Sequence, residues 1–316
     1  MSETKPLRKL GLNQVFPSPT DVDGTAKKTN SVVAIHGLDT RSPTTWIAWK
    51  ENGRPESGDV HWLKDEDMLP RVLPNSRIFT YDWNANIDHD AATQSLLGHA
   101  DKLLNKLRIE RAKDSKNRPI IFIASCFGGL LLAKALLLAS EAFGDYQEIY
   151  QSTTGAVFLG TPFQGTNQGF CTAAHLRVAV AVSSGSETTK ELLTYLRNEP
   201  NERGELDQLV ERFCVMINHE QFIIPVVCFY ETQETDFTKV IKDLPPEFVK
   251  GLGGHTAGIL VPKSSACLQG KERHELSVRH SMLSKFARPD EDSFETVCYN
   301  LKDFVTKAEK RLRDRS

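Results

Sequence analysis

Residues 121–129 read IFIASCFGG, and Cys126 stands where an apolar run gives way to paired glycines. A thiol between a buried strand and a glycine-started helix suits nucleophilic chemistry. A strand-to-helix bend sharp enough to present a nucleophile leaves room only for small residues two places before and two places after it. Ala124 and Gly128 meet that demand around Cys126, whereas a nucleophilic Ser125 would put Ile123 and Phe127 there. The register therefore selects Cys126. The positive end of the helix dipole favours a thiolate at this point, and a neighbouring imidazole would favour it further.

Such a nucleophile needs a base, an acid to orient the base, and two N–H groups for the oxyanion. In the chain order nucleophile, acid, base, the base follows the last strand. His280, in VRHSM ahead of the final helix, is the leading candidate. His274 in the charged stretch KERHE and His255 in a glycine-rich loop are the alternatives. The acid should follow the penultimate strand. Glu231 ends PVVCFYE and comes first, ahead of Glu234 and Asp236. One oxyanion donor is expected at Phe127, directly after the nucleophile. The other is expected at Leu38, in the segment IHGLD, where Gly37 lets the backbone approach. His36 is read as a brace for that loop.

The elements that must hold these residues are short and apolar. Ser31–Gly37, Arg77–Trp83, Pro119–Ser125, Gly155–Gly160, Ile224–Tyr230 and Ala257–Pro262 read as six strands. Continuous rather than alternating apolar runs mark parallel strands covered on both faces. Helical patterns fall around Trp62–Val72, Ala91–Arg111, Gly128–Ala142, Arg203–His219 and Asp290–Arg313. Alternation of strand and helix predicts an α/β fold with helices on both sides of a mostly parallel sheet. Residues 1–30 read as an N-terminal extension with an edge-strand candidate at Leu12–Phe16, and residues 31–316 as one domain. A helical insertion at about 164–201 is expected to act as a lid, and the polar stretch 232–256 reads as a mobile loop.

Composition narrows the function classes. The chain has 316 residues, 40% of them hydrophobic, and a net charge of -2. That length allows one large domain with a sizeable core, and the balance gives no reason to expect a nucleic-acid partner. None of the six cysteines forms a C-x-x-C pair, so neither a metal site nor a cofactor is expected. Apolar surroundings suit reduced thiols, and MSETKPLRKLGLNQ lacks the apolar core of a signal peptide, so a cytoplasmic setting is expected. Ile120–Phe143 is long and apolar, but Lys134 would cost about 2.5–3.5 kcal/mol inside a membrane, and a buried strand followed by a buried helix explains the run. The basic run KAEKRLRDRS reads as a solvated helix end, with peripheral contact to acidic lipid as the alternative.

Taken together, VVAIHGLDTRSPTTW, MLPRVLPNSRIFTYDWN, IIFIASCFGGLLLAKALL, GAVFLGTPFQGT, VVCFYETQET, GILVPKSSACL and VRHSMLSKF resemble the α/β-hydrolase superfamily. Within it, they resemble the lipase-like serine-active-site-containing proteins, and most closely the fungal α/β-hydrolase domains found ahead of NACHT or other NLR modules. The resemblance implies hydrolysis of a carboxylic ester or related acyl bond, with a small-molecule or lipid acyl substrate. It implies a nucleophile at Cys126, a base at His280 and an acid at Glu231. It also implies a mitochondrial or endoplasmic-reticulum membrane association as the alternative location. The sequence departs from the family's H-S-L-G-G by reading S-C-F-G-G. A second class of function follows from that departure: a catalytically inactive binding or signalling module of the fungal NLR type.

Overall fold

The computed structural model describes residues 9–21, 28–88, 91, 94–113, 118–142, 144–184, 186, 188, 190–197 and 204–315. Seven strands form the central sheet: β1 (Gly11–Phe16), β2 (Asn30–Ile35), β5 (Ser76–Asp82), β6 (Ile120–Ser125), β7 (Thr153–Leu159), β8 (Val226–Gln233) and β11 (Glu272–Arg279). Their spatial order is β1-β5-β2-β6-β7-β8-β11. Edge strand β1 runs antiparallel to β5, and every other neighbouring pair is parallel.

Alternate residues of the central strands feed two separate cores, which is why these strands are apolar throughout. Val33, Phe79, Phe122 and Phe158 face one core, with helices α2 (Leu96–Ala112), α3 (Gly128–Glu141), α4 (Asp145–Ser152) and α7 (Gly204–Ile217). Val32, Ile78, Ile121 and Val157 face the other, where helix α9 (Asp292–Asp314) supplies Phe294, Val297, Leu301 and Phe304. Arg311 and Arg315 of the basic C-terminal run do not simply extend into solvent. Arg311 donates to the carbonyl of Thr154, and Arg315 to those of Gln151 and Thr153, which tie the helix end to the start of β7.

Several expected elements are displaced. Ala257–Pro262 is not a strand of the main sheet; only β10 (Ala257–Gly258) pairs there, with the two-residue strand β9 (Thr235–Asp236). The last sheet strand is instead β11, which holds His274 in mid-strand rather than in a loop. It is an edge strand with much of its length exposed, so its polar sequence lacks the apolar run of a central strand. Between β2 and β5 the chain forms a hairpin of β3 (Ile47–Glu51) and β4 (Arg54–His61). The helix expected over Trp62–Val72 shrinks to α1 (Leu69–Val72), because Asp65 caps the turn that precedes it by accepting from the amide of His61 at 2.9 Å.

The segment between β7 and β8 carries helices α5 (Gln168–Ser183) and α6 (Lys190–Thr194) before α7. Residues 232–256 are not a free loop. Two short 3-10 helices, Phe237–Ile241 and Pro246–Leu252, pack Ile241 and Leu252 against Ala173 of α5. Among the described residues, no helix is long and apolar enough to cross a membrane.

Candidate active site

Strand β6 ends at Ser125 and helix α3 begins at Gly128, which leaves two residues to turn the chain. Cys126 takes a left-handed φ of 51° at this bend. A non-glycine residue in that region stores roughly 1–3 kcal/mol of strain and persists only where its surroundings enforce it. Here the Cys126 amide donates to the carbonyl of Leu159 at 2.8 Å, and the Gly129 amide donates back to the carbonyl of Cys126 at 3.0 Å. The bend also runs very close to the β2 loop. A Cβ at position 128 would lie 2.5 Å from the carbonyl oxygen of His36 and 2.6 Å from that of Ile35. A Cβ at position 37 would lie 2.7 Å from the Cβ of Cys126. Backbone against backbone at these distances admits only glycine at 128, and Gly37 brings its loop up against the thiol.

His280 opens a 3-10 turn directly after β11. Its ring packs over Gly160, where a Cβ would come 2.8 Å from Cε1. Its Nδ1 donates to Oε2 of Glu231 at 3.1 Å. The Glu231 side chain, on β8, is fully buried, and its Oε1 accepts from the Val261 amide at 2.8 Å. Both carboxylate oxygens thus have donors, as a buried charge requires. With Nδ1 occupied, Nε2 is the ring nitrogen that remains, and His280 lines the same cleft as Cys126. Burial opposes charge on the His280 ring, but Cys126 first and Glu231 second outweigh it by charge and hydrogen bonding. The imidazole is lifted from its usual 6.5 to about 10.

The other candidates make different contacts. His274 points its Nε2 at Glu272, 2.8 Å away, and neither it nor His255 lines the cleft above Cys126. Glu234 and Asp236 do line that cleft, but Asp236 accepts from the amide and hydroxyl of Thr238. His36 is buried behind the loop, stacked on Trp83, with Nε2 2.8 Å from Asp82 and Nδ1 2.9 Å from the carbonyl of Gly37.

Of the two residues whose amides are expected to bind an oxyanion, Phe127 follows Cys126 directly and Leu38 lines the same cleft as Cys126. Among the described residues, neither the Leu38 nor the Phe127 amide donates to a backbone carbonyl. The Phe127 ring is buried, stacked on Trp83 and edge-on to Tyr195 of the inserted segment, which fixes its amide. Above this group opens a cleft of about 990 Å³, lined by Leu38, Ile87, Phe170, Ala174, Leu196 and Leu260 among others. One member was not legible beforehand: Arg177 of α5 bonds both Asp39 and Asp88 across the cleft wall. A lone arginine on an inserted helix carries no sequence signal of such a role. Among the described residues, no group of three or more His, Cys, Asp or Glu side chains is placed to hold a metal ion.

No protein-family model matches the chain. Among curated proteins, Protein SERAC1 of Danio rerio is 32% identical over 150 residues, which is 43% of this chain and 22% of that protein. Protein SERAC1 of Homo sapiens is 26% identical over 149 residues, and the match again spans only 22% of the relative's length. Among solved structures, the phospholipase PlaB from Legionella pneumophila superposes with a TM-score of 0.55 at 14% identity, covering 91% of this chain and 63% of that one. The mature Bacillus licheniformis lipase BlEst2 superposes with a TM-score of 0.52 at 13% identity, covering 92% and 97%. Identities this low speak to architecture alone. The sheet order, the bend after β6 and these superpositions together give the chain the α/β-hydrolase fold.

Proposed function

We propose that the chain hydrolyses carboxylic esters or related acyl compounds, with Cys126 as nucleophile, His280 as proton carrier and Glu231 as its orienting acid. The observation that carries this reading is the imidazole of His280, bonded to a buried carboxylate and lining the same cleft as Cys126, which stands on a strained bend and lifts the ring. The Cys126 sulfur attacks the ester carbonyl, and the new C–S bond leaves an oxyanion facing the amides of Leu38 and Phe127. Collapse breaks the C–O bond, and the departing alkoxide takes the proton from Nε2 of His280. The sulfur of the resulting thioester is uncharged, so the pull of Cys126 on the imidazole proton ends. The ring, now neutral, accepts a proton from water as that water attacks the thioester. The carboxylic acid leaves and the thiolate–imidazolium pair is restored.

The lipase and the phospholipase among the structural relatives support an ester substrate, and the apolar side chains of Leu38, Ile87, Phe170 and Leu260, set in an otherwise largely polar cleft wall, suit an acyl chain. Helix α5 of the inserted segment, whose Phe170 and Ala174 line the cleft, would then cover this chain as part of a lid. The presence of a cysteine in place of serine favours a second reading, a non-catalytic module of the fungal NLR-associated type that binds a ligand in the same cleft. Incubation with p-nitrophenyl esters, before and after iodoacetamide, separates the two. Turnover that is lost on alkylation of Cys126 is expected. Absence of turnover from a folded protein with an ordinary, slow-reacting thiol would refute the hydrolase reading.

A further inference from the structure

Asp39 follows the expected oxyanion donor Leu38 and itself holds a left-handed φ of 55°. Its amide donates to the carbonyl of Ala85 at 2.7 Å, and its carboxylate accepts from Arg177 at 2.5 Å. The same guanidinium donates through Nε and Nη2 to the two oxygens of Asp88, at 2.5 and 2.9 Å. Arg177 belongs to the inserted helix α5, Asp39 to the loop after β2, and Asp88 to the loop after β5. One side chain therefore joins three separate segments at the cleft wall. Arg177 is 25% exposed, Asp88 8% and Asp39 40%, so the Asp88 contact is shielded from water while the Asp39 contact is open to it. A planar fork satisfies two carboxylates at once, which a lysine ammonium cannot do with the same geometry.

We propose that Arg177 is a positioning residue: by holding Asp39 it sets the aim of the Leu38 amide, and so makes oxyanion stabilisation conditional on the seating of the inserted helix. The proposal rests on the hydrolase reading in one respect, that the Leu38 amide meets an oxyanion. An oxyanion donor works only within about 2.7–3.1 Å of the charge that develops, so a small outward shift of this loop is costly. Alkylation of Cys126 by iodoacetamide displaces iodide from a saturated carbon and forms no oxyanion. It reports on the thiol and imidazole while ignoring the loop.

The test compares wild type with Arg177→Ala and Arg177→Lys in three measurements. These are the rate of acylation by p-nitrophenyl acetate, the rate of alkylation by iodoacetamide, and hydrogen exchange in residues 37–40. In Arg177→Ala, acylation is expected to fall by about 10²–10³-fold, the usual effect of losing one oxyanion donor. Alkylation is expected to keep its wild-type rate, exchange in 37–40 to rise, and Arg177→Lys to fall between the two. Unchanged acylation in Arg177→Ala would overturn the proposal. A parallel fall of alkylation and acylation would also overturn it, since that marks collapse of the whole site. If wild type itself is never acylated, the hydrolase reading fails separately. Exchange in 37–40 then decides whether Arg177 positions the loop: a rise supports it and an unchanged pattern overturns it.

Discussion

Replacing Glu231 by glutamine changes one atom of the buried acid and tests the division of labour in the site. The carboxylate accepts twice, from the Val261 amide at 2.8 Å and from Nδ1 of His280 at 3.1 Å. A glutamine has one accepting oxygen. The Val261 amide is fixed in the backbone, and leaving it unpaired in the interior would cost about 1–3 kcal/mol. The oxygen therefore stays with Val261, and the amide NH₂ turns to His280. Nδ1 must then accept, so the neutral ring carries its proton on Nε2, facing the thiol it should be able to deprotonate. The imidazolium also loses its buried counter-charge. An orienting acid neutralised in place costs serine triads about 10⁴-fold in turnover through the wrong tautomer. A thiolate supplies part of the opposing charge here, so the expected loss is about 10²–10⁴-fold in kcat with little change in KM. The assay is steady-state hydrolysis of p-nitrophenyl esters, with a thermal melt to show that the variant is folded. A folded variant that keeps more than a tenth of the wild-type turnover would refute the role assigned to Glu231.

Three further substitutions probe other links. In Cys126→Ser the partner that most strongly raises the His280 ring is lost, so the ring should titrate at clearly lower pH than in the wild type. The Cε1–H resonance of His280 followed against pH measures this, and identical titrations in the two proteins would contradict the pairing. Any esterase activity of that variant should rise with pH through the lowered value, because a serine hydroxyl needs a neutral imidazole. Gly128→Ala would set a methyl 2.5–2.6 Å from two backbone oxygens that cannot rotate away, so a loss of about 1–3 kcal/mol in stability with loss of turnover is expected. An unshifted melting temperature would show that the bend tolerates a side chain. Burial alone would raise the Glu110 carboxyl, but hydrogen bonds and charge from Lys113 and Arg77 hold it below its usual value. Its contribution is therefore present above about pH 4.5 and is lost as pH falls through the depressed value. Melts of Glu110→Gln should show a deficit of about 1.5–3 kcal/mol at pH 7 that closes in acid, and a deficit independent of pH would refute the assignment.

The parts of the site set by local sterics were readable in advance. Ala124, Cys126 and Gly128 sit two positions apart in a pattern that only a sharp bend demands, and the apolar runs around Val32, Ile121 and Val157 announced buried strands. Strand β11 was not readable, because an edge strand with exposed Glu272, Arg273 and Glu275 shows no apolar run. The β3–β4 hairpin was hidden for a similar reason, since RPESGDVH is polar and largely exposed. Arg177 was invisible on different grounds. Its partners lie 138 and 89 residues away in the chain, and no spacing rule joins residues that only the folded sheet brings together.

The convergence of such distant residues has a simple cause in the direction of the strands. Five of the parallel strands run side by side as β2, β6, β7, β8 and β11, so the residues that end them gather along one margin of the sheet. Leu38 leaves β2 there, Cys126 leaves β6, Gly160 leaves β7, Glu231 lies near the end of β8, and His280 follows β11. Crevices at the carboxyl ends of parallel strands are where this class of sheet binds ligands. Each contributor is fixed by its own strand, so the exchange of a hydroxyl for a thiol at position 126 need disturb none of the others. The change falls on charge instead of position. On the proposed chemistry a serine would depend on His280 to remove its proton, whereas a thiol, the more nucleophilic group, would depend on it less.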